Sequence, residues 1–247
     1  MNIKQYLDST YLKTASHAGL SEEENIDIVK NVIQEAITEG FKLIMIRPKH
    51  VSLAKEMILK ANSNLLVGTV IDFPEGKSSI EDKIKEANQA IEDGADDLDF
   101  VCNYEAFKNG EIALLKQEIV YGTQIGLAQN KTVKWIIEVA ALTDKEIMQI
   151  SALIKNVVIS NFKEDDYASV FVKSSTGFYK TENDLPNGAT MASIIMMLEN
   201  ASPLPIKAAG GVRSYKDAIE MIGLGVKRIG TSAAKEIANR ENAPNDY

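Results

Sequence analysis

Three residues stand where an ordinary strand would bury an aliphatic side chain: Asp99, Lys173 and Lys207. Lys173 lies in the β-like run ASVFVKS (168–174), Lys207 in PIKAAG (205–210) and Asp99 in DDLDFVCN (96–103). Successive side chains of a strand point to opposite faces. Leu98 and Phe100 therefore share one face, and Asp97, Asp99 and Val101 the other. By the same rule Val170 and Val172 oppose Phe171 and Lys173, and Ile206 and Ala208 oppose Lys207. One carboxylate with one lysine reads equally well as a structural ion pair. Two lysines on adjacent strands aimed at one place repel each other, which a purely structural role disfavours. Burial and a neighbouring cation both lower a lysine pKa. A lysine that is neutral at pH 7 is a nucleophile able to form a Schiff base with a carbonyl.

A second constellation suits an anion. AAGGVRS (208–214) and GTSAAKE (230–236) follow two consecutive β-like runs, and Ser232 is placed to cap the last helix. Glycines let backbone N–H groups approach phosphate oxygens closely. A helix N-terminus adds a favourable dipole. Gly210, Gly211 and Ser232 are the candidates, with Thr176 and Gly177 from SSTGF as further donors. Either loop alone would read as an ordinary glycine turn.

These groups need a scaffold that gathers strand ends. Eight β-like runs alternate with helical patterns: 5–12, 42–48, 65–73, 96–103, 133–140, 168–174, 205–210 and 227–232. SEEENIDIVKNVIQEAITEG (21–40) opens on acids and ends on Gly40, as a capped helix does. SSIEDKIKEANQAIEDG (78–94) repeats the scheme, and TDKEIMQISALI (143–154) starts with a Thr cap. Eight strand–helix units predict parallel strands closed into a (β/α)8 TIM barrel of the α/β class, one domain over residues 1–247. An open doubly wound sheet is the alternative, but DSTYLKTASHAG after the first strand lacks its Gly-rich dinucleotide turn. In a barrel the active site lies at the C-terminal strand ends. Asp8, Arg47, Asn103 and Glu138 join the lysines and Asp99 there. Asp8 is counted among the substrate contacts.

Composition excludes several classes. The 247 residues are 45% hydrophobic and 25% charged, with a formal net charge of −8 and no clustered basic face, so nucleic acid is not an expected partner. No apolar run reaches the roughly 20 residues that span a bilayer, and the N-terminus carries no secretory h-region, so neither a membrane nor export is expected. One cysteine, Cys102, permits no internal disulfide and fits a reducing cytoplasm. With two histidines, His17 and His50, no metal site and no cofactor are expected. Cys102 reads as a buried structural thiol, Trp135 as packing, and the histidines as solvated. The end of the chain, residues 237–247, reads as a polar mobile tail that finishes in Tyr247.

FVKSSTGF, GTVIDFPEGKSSIEDKIKEANQAIEDGADDLDFVCN and KAAGGVRSYKDAIEMIGLGVKRIGTS together resemble the deoxyribose-phosphate aldolases, over about Tyr6 to Ser232. The resemblance implies a metal-free class I aldolase on a TIM barrel. Such an enzyme reversibly cleaves 2-deoxy-D-ribose 5-phosphate to D-glyceraldehyde 3-phosphate and acetaldehyde, in deoxyribonucleotide catabolism. It implies that Lys173 is the Schiff-base lysine, that Lys207 lowers its pKa, and that Asp99 serves the proton relay. Gly210, Gly211 and Ser232 match the phosphate loops, and Tyr247 matches a C-terminal tyrosine that some members use to move the proton. A homodimer is compatible with this fold. The chain departs from the family pattern at Ser9, Asp72 and Glu105, where histidine, glycine and glycine are usual, and at Ala233, where a second serine is sometimes found. Asp72 and Glu105 are expected to alter the electrostatics of the mouth, and Ala233 to weaken phosphate binding. Two other functions stay open: a Schiff-base aldolase for a different sugar phosphate, and a non-catalytic barrel that only binds one.

Overall fold

Short β-branched and apolar runs, each ended by a polar turn, form the strands β1 Leu7–Tyr11, β2 Leu43–Ile46, β3 Leu66–Ile71, β4 Asp97–Val101, β5 Thr132–Ile136, β6 Val170–Lys173, β7 Ile206–Ala209 and β8 Arg228–Thr231. All pair in parallel in sequence order, and β8 pairs with β1, so the sheet closes into an eight-stranded barrel. Closure rules out the doubly wound alternative. The computed structural model describes residues 1–182 and 185–241. Tyr247 lies outside the described residues.

The helices are α1 Ala15–Ala18, α2 Glu22–Glu39, α3 Val51–Lys60, α4 Ile80–Glu92, α5 Tyr104–Lys108, α6 Ile112–Ala128, α7 Asp144–Asn161, α8 Met191–Ala201, α9 Tyr215–Leu224 and α10 Ala234–Asn239. The expected caps form at most of them. Ser21 and Glu24 make a capping box on α2, and Gly40 ends that helix in the left-handed region at φ 66°. Thr143 and Glu146 repeat the box on α7, which runs on past Ile154 because SALIKNVVISN keeps its apolar stripe. The last helix differs from expectation. Its N-cap is Ala233, whose N–H donates to Thr231 Oγ1 (3.0 Å), and the exposed Ser232 stands one residue outside. Residues 237–239 of the predicted tail belong to α10, with Ile237 fully buried, and residues 242–247 lie outside the described residues.

Outward-facing strand residues pack against the helices. Leu98, Phe100, Val170, Val172, Ile206 and Ala208 all belong to the large apolar cluster beneath them, as the alternation required. Trp135 stacks on Phe100 (4.9 Å) and donates its indole N–H to Thr123 Oγ1 (3.0 Å), so it is a packing residue. Cys102 is buried in the same cluster, and burial raises its thiol pKa well above the ordinary value. His50 is buried as well, against the expectation of a solvated ring. It closes a 3₁₀ turn (Pro48–His50) that leads straight into α3, and burial lowers its pKa. His17 is exposed.

Inside the barrel the pattern inverts. TIM barrels usually fill this space with bulky branched residues. Here Asp8, Asp97, Asp99, Lys134, Lys173, Lys207 and Arg228 are all buried. One wall of the mouth is held by a second buried ion group. Lys83 of α4 donates to Val101 O (2.8 Å) and Gly76 O (3.0 Å) and pairs with Glu118 of α6, which accepts the Asn103 N–H (3.1 Å).

α6 lies close to the sheet because Gly122 and Gly126 face it. A Cβ on Gly126 would overlap Val133 Cγ2, and one on Gly122 would stand 2.7 Å from Trp135. Gly126→Ala improves helix propensity by about 1 kcal/mol but overpacks a rigid site at a cost of about 1–3 kcal/mol. The urea midpoint of Gly126→Ala is therefore expected below that of the parent, by about 1 kcal/mol in stability. An unchanged or raised midpoint would mean that the helix can simply move outward.

Candidate active site

Alternation turns the charged residues of six strands inward, and register brings them to one level. Lys173 pairs in register with Lys207, Asp99 with Lys134, and Lys207 with Arg228. Gly230 leaves the space that the Lys207 stem occupies, since a Cβ there would meet Lys207 Cε at 3.1 Å. Asp99 is the hub. Its Oδ2 accepts from both Lys173 Nζ and Lys207 Nζ, each at 2.9 Å, and its Oδ1 accepts from Lys134 Nζ at 2.7 Å. Lys134 also holds Asp97 (2.7 Å), Lys207 holds Asp8 (2.6 Å), and Arg228 bridges Asp8 (2.6 Å) and Asp97 (3.2 Å).

This ion-paired cluster contains four cations and three carboxylates. With every group ionised it carries one excess positive charge, and with one lysine neutral it balances. The contacts identify which one. Lys134, Lys207 and Arg228 each touch two carboxylates, whereas Lys173 touches Asp99 alone. Burial lowers the Lys173 pKa, Asp99 opposes that, and Lys207 and Lys134 reinforce it, bringing the amine to about 8. Lys134 moves the other way: burial lowers it, and Asp97 and Asp99 outweigh burial. Burial also works to raise Asp99, but Lys134, Lys173 and Lys207 together hold it well below the ordinary carboxylate range.

Lys173 is also the lysine that borders open space. A cavity of about 220 Å³ is lined by Lys173, Gly177, Gly210, Gly211, Arg213 and Ser232, among others. Gly210 and Gly211 have φ of 79° and 82°, a region closed to most side chains. Gly188 crosses directly over Gly210, and a Cβ on either would run into the other's backbone. Among the described residues, no hydrogen bond occupies the N–H groups of Gly210, Gly211 and Ser232. The cavity thus presents an amine of lowered pKa at its floor and backbone donors with one guanidinium along its side. An electrophilic carbonyl fits the first and an anion the second.

Not every expected residue is where it was placed. Asp8 does not border the cavity: it is buried beneath Lys207, its oxygens taken by Lys207 and Arg228. Thr176 lines the cavity, but its N–H and hydroxyl both point to Glu138, so it has no donor left for a ligand. Asp72 sits at φ 54°, with its carboxylate on Ser78 and Lys83, and does not border the mouth. Glu105 lines a neighbouring cavity with Glu75 and Glu138. Ser9 is buried in β1, paired with Thr231. Lys134 and Arg228 were not singled out from the sequence, although Val133–Trp135 and Ile229 flank them with outward residues and the same alternation finds them. Asn187 and Arg213 line the cavity without any sequence signal beyond their loops. Among the described residues no helix is long and apolar enough to cross a membrane, and no group of His, Cys, Asp and Glu is arranged to hold a metal ion.

Fold and site define a class: a parallel barrel with a buried, least-compensated lysine beside an anion cradle. Comparison with known proteins agrees. A model described as DeoC/LacD family aldolase matches residues 6–234, and the chain belongs to that family. It is 36% identical over 245 residues to a deoxyribose-phosphate aldolase of Thermococcus kodakarensis, covering 99% of this chain and 98% of that one. It is 37% identical over 248 residues to one from Staphylococcus saprophyticus, with both chains covered in full. Among solved structures, an aldolase designated QR15 superposes with a TM-score of 0.79 at 28% identity, covering 97% of this chain and 95% of that one. The deoxyribose phosphate aldolase of Aeropyrum pernix, described as a tetramer, gives 0.76 at 26% identity, covering 96% and 89%.

The contacts predict how Lys173 titrates. Its Nζ resonance, followed by nitrogen NMR, should show a midpoint near 8. Lys207→Met removes a cation that lowers Lys173 and leaves Asp99 and Asp8 less compensated, so the midpoint should move up. A midpoint that stays put in Lys207→Met would remove Lys207 from the account of the Lys173 pKa.

Proposed function

We propose that this chain is a deoxyribose-phosphate aldolase, cleaving 2-deoxy-D-ribose 5-phosphate reversibly to D-glyceraldehyde 3-phosphate and acetaldehyde through a Schiff base on Lys173. The observation that carries the reading is the charge balance: among the four cations of the barrel cluster only Lys173 has a single carboxylate partner, and it alone of them borders the cavity. The names of the relatives support the substrate.

The neutral Lys173 amine attacks C1 of the open-chain sugar. Loss of water leaves a protonated imine, a cation that takes the place of the ammonium facing Asp99 Oδ2. The electrostatic setting that disfavours a proton on the free amine is thereby met by a charge the reaction itself creates, and the imine becomes an electron sink. The C3 hydroxyl proton passes by way of a water toward Asp99. A carboxylate held so low keeps a proton only briefly, so Asp99 acts as a relay and not as a resting acid. The C2–C3 bond breaks, the phosphorylated aldehyde leaves, and the enamine on Lys173 is protonated and hydrolysed to acetaldehyde. Lys207 stays ion-paired between Asp8 and Asp99. Lys134 and Arg228 hold the cluster from beneath.

Gly210, Gly211, Ser232 and Arg213 take the phosphate, and that binding positions C1 over Lys173. The single buried thiol fits a cytoplasmic enzyme.

Turnover separates this reading from its rivals. The protein should cleave 2-deoxy-D-ribose 5-phosphate in preference to hexose phosphates. Unphosphorylated 2-deoxyribose should lose kcat/KM by on the order of 100-fold, the worth of about two charge-assisted hydrogen bonds. Lys173→Arg keeps the cation and removes the nucleophile, and should be inactive. Preference for a hexose phosphate would redirect the substrate assignment, and activity in Lys173→Arg would overturn the mechanism.

A further inference from the structure

The mechanism leaves one buried carboxyl beside the site without a task. Glu138 follows β5, is 1% exposed, and has left-handed backbone at φ 55° and ψ 70°. That conformation is unfavourable for a residue with a Cβ and persists only where surrounding contacts require it. Here it aims the carboxyl at the turn after β6. Glu138 Oε2 accepts the N–H of Thr176 (3.1 Å) and the Thr176 hydroxyl. The Thr176 hydroxyl in turn accepts the Phe178 N–H (3.0 Å). Glu138 Oε1 lies 2.6 Å from Ser175 Oγ.

The proton count at Ser175 decides the state of Glu138. Ser175 Oγ lies 2.7 Å from the carbonyl oxygen of Asn187 and accepts the Gly177 N–H at 3.2 Å. A serine hydroxyl has one proton to donate. A carbonyl oxygen only accepts, so the Ser175 proton belongs to Asn187 O. An ionised Glu138 would then set Oε1 against a serine lone pair at 2.6 Å with no proton between them. A protonated Oε1 donates to Ser175 Oγ, and every group in the chain is satisfied.

We propose that Glu138 is a neutral carboxylic acid at pH 7 and a positioning residue, whose proton completes a chain Glu138–Ser175–Asn187 that fixes the turn between Lys173 and the glycine cradle. The chain ends where it matters. Asn187 donates to Gly177 O (3.3 Å) and borders the cavity, and the adjoining Gly188 packs on Gly210. Burial raises the Glu138 pKa and outweighs the hydroxyls, the Thr176 N–H and the charge of Lys173. The same side cavity is bordered by two more acids, Glu75 and Glu105, and by two lysines, Lys77 and Lys180, so its lining charges offset one another and the proton count at Ser175 decides the state.

The effect on substrate binding rests on the aldolase reading; the protonation state does not. Infrared spectroscopy of the parent at pH 7 should show a protonated carboxyl band that is missing from Glu138→Gln. Glutamine supplies one donor and one acceptor like the neutral acid. Glu138→Gln should therefore keep KM for 2-deoxyribose 5-phosphate within about threefold of the parent. Glu138→Ala should raise that KM by about tenfold, with a smaller effect on the unphosphorylated sugar. Ser175→Ala breaks the chain at its middle link and should repeat the KM effect if the alanine variant at 138 does not fold. Absence of a protonated band that Glu138→Gln abolishes overturns the proposal whether or not the protein cleaves any sugar. A Glu138→Gln variant as impaired as Glu138→Ala also overturns it, because a charged carboxylate would then be the working form.

Discussion

One carboxylate shared by three buried lysines governs this molecule. Asp99 is fully buried, and each of its oxygens is committed to an ammonium. Removing one partner of a buried ion pair typically costs about 3–5 kcal/mol, because the survivor is left uncompensated. The barrel must therefore bring Lys134, Lys173 and Lys207 to Asp99 together, and Asp97 and Asp8 are needed to balance Lys134 and Lys207, with Arg228 bridging those two carboxylates. Lys173 is left with half the compensation of its neighbours. Its lowered pKa is thus a property of the whole cluster.

The same arrangement explains why the interior of this barrel is polar. Ordinary barrels fill the centre with branched aliphatics, which would leave a lysine amine with nothing to oppose its charge. Here the lysine stems run through the interior and only the Lys173 end reaches the cavity. Above it the glycines at 210 and 211 and the crossing at Gly188 bring backbone within reach of an anion. A single turn, Ser174–Gly177, stands between Lys173 and the glycine cradle. Ser174 is tied to Ala209 on the next strand (2.8 and 2.9 Å), and Ser175 and Thr176 to Glu138 just after the strand before.

Much of this was legible in the residues, for a definite reason. Strand alternation is local, so Lys173, Lys207 and Asp99 could be aimed inward from their neighbours alone. Lys134 and Arg228 obey the same rule, lying inward in the β-like runs 133–140 and 227–232. Contacts made by closure are different. Asp8 meets Lys207 and Arg228 only because β1 pairs with β8, so nothing near Asp8 in the chain shows that its carboxylate is spoken for. Ser232 looked like a cap, but the Thr231 hydroxyl takes the first N–H and moves the helix start onward. Thr176 looked like a phosphate donor, and only the fold shows Glu138 drawing both of its donors away. Asp72 replaces a glycine at a left-handed position and satisfies itself on Ser78 and Lys83, away from the mouth.

The central claim is that Lys173 is the amine that stays free to react. Borohydride trapping tests it most directly. The protein is incubated with acetaldehyde, reduced and digested, and the peptides are read by mass spectrometry. The account predicts an ethyl group on Lys173, with Lys134 and Lys207 unmodified because each is held by two carboxylates. An adduct on Lys207 in place of Lys173, or none on any lysine of the cluster, would contradict it.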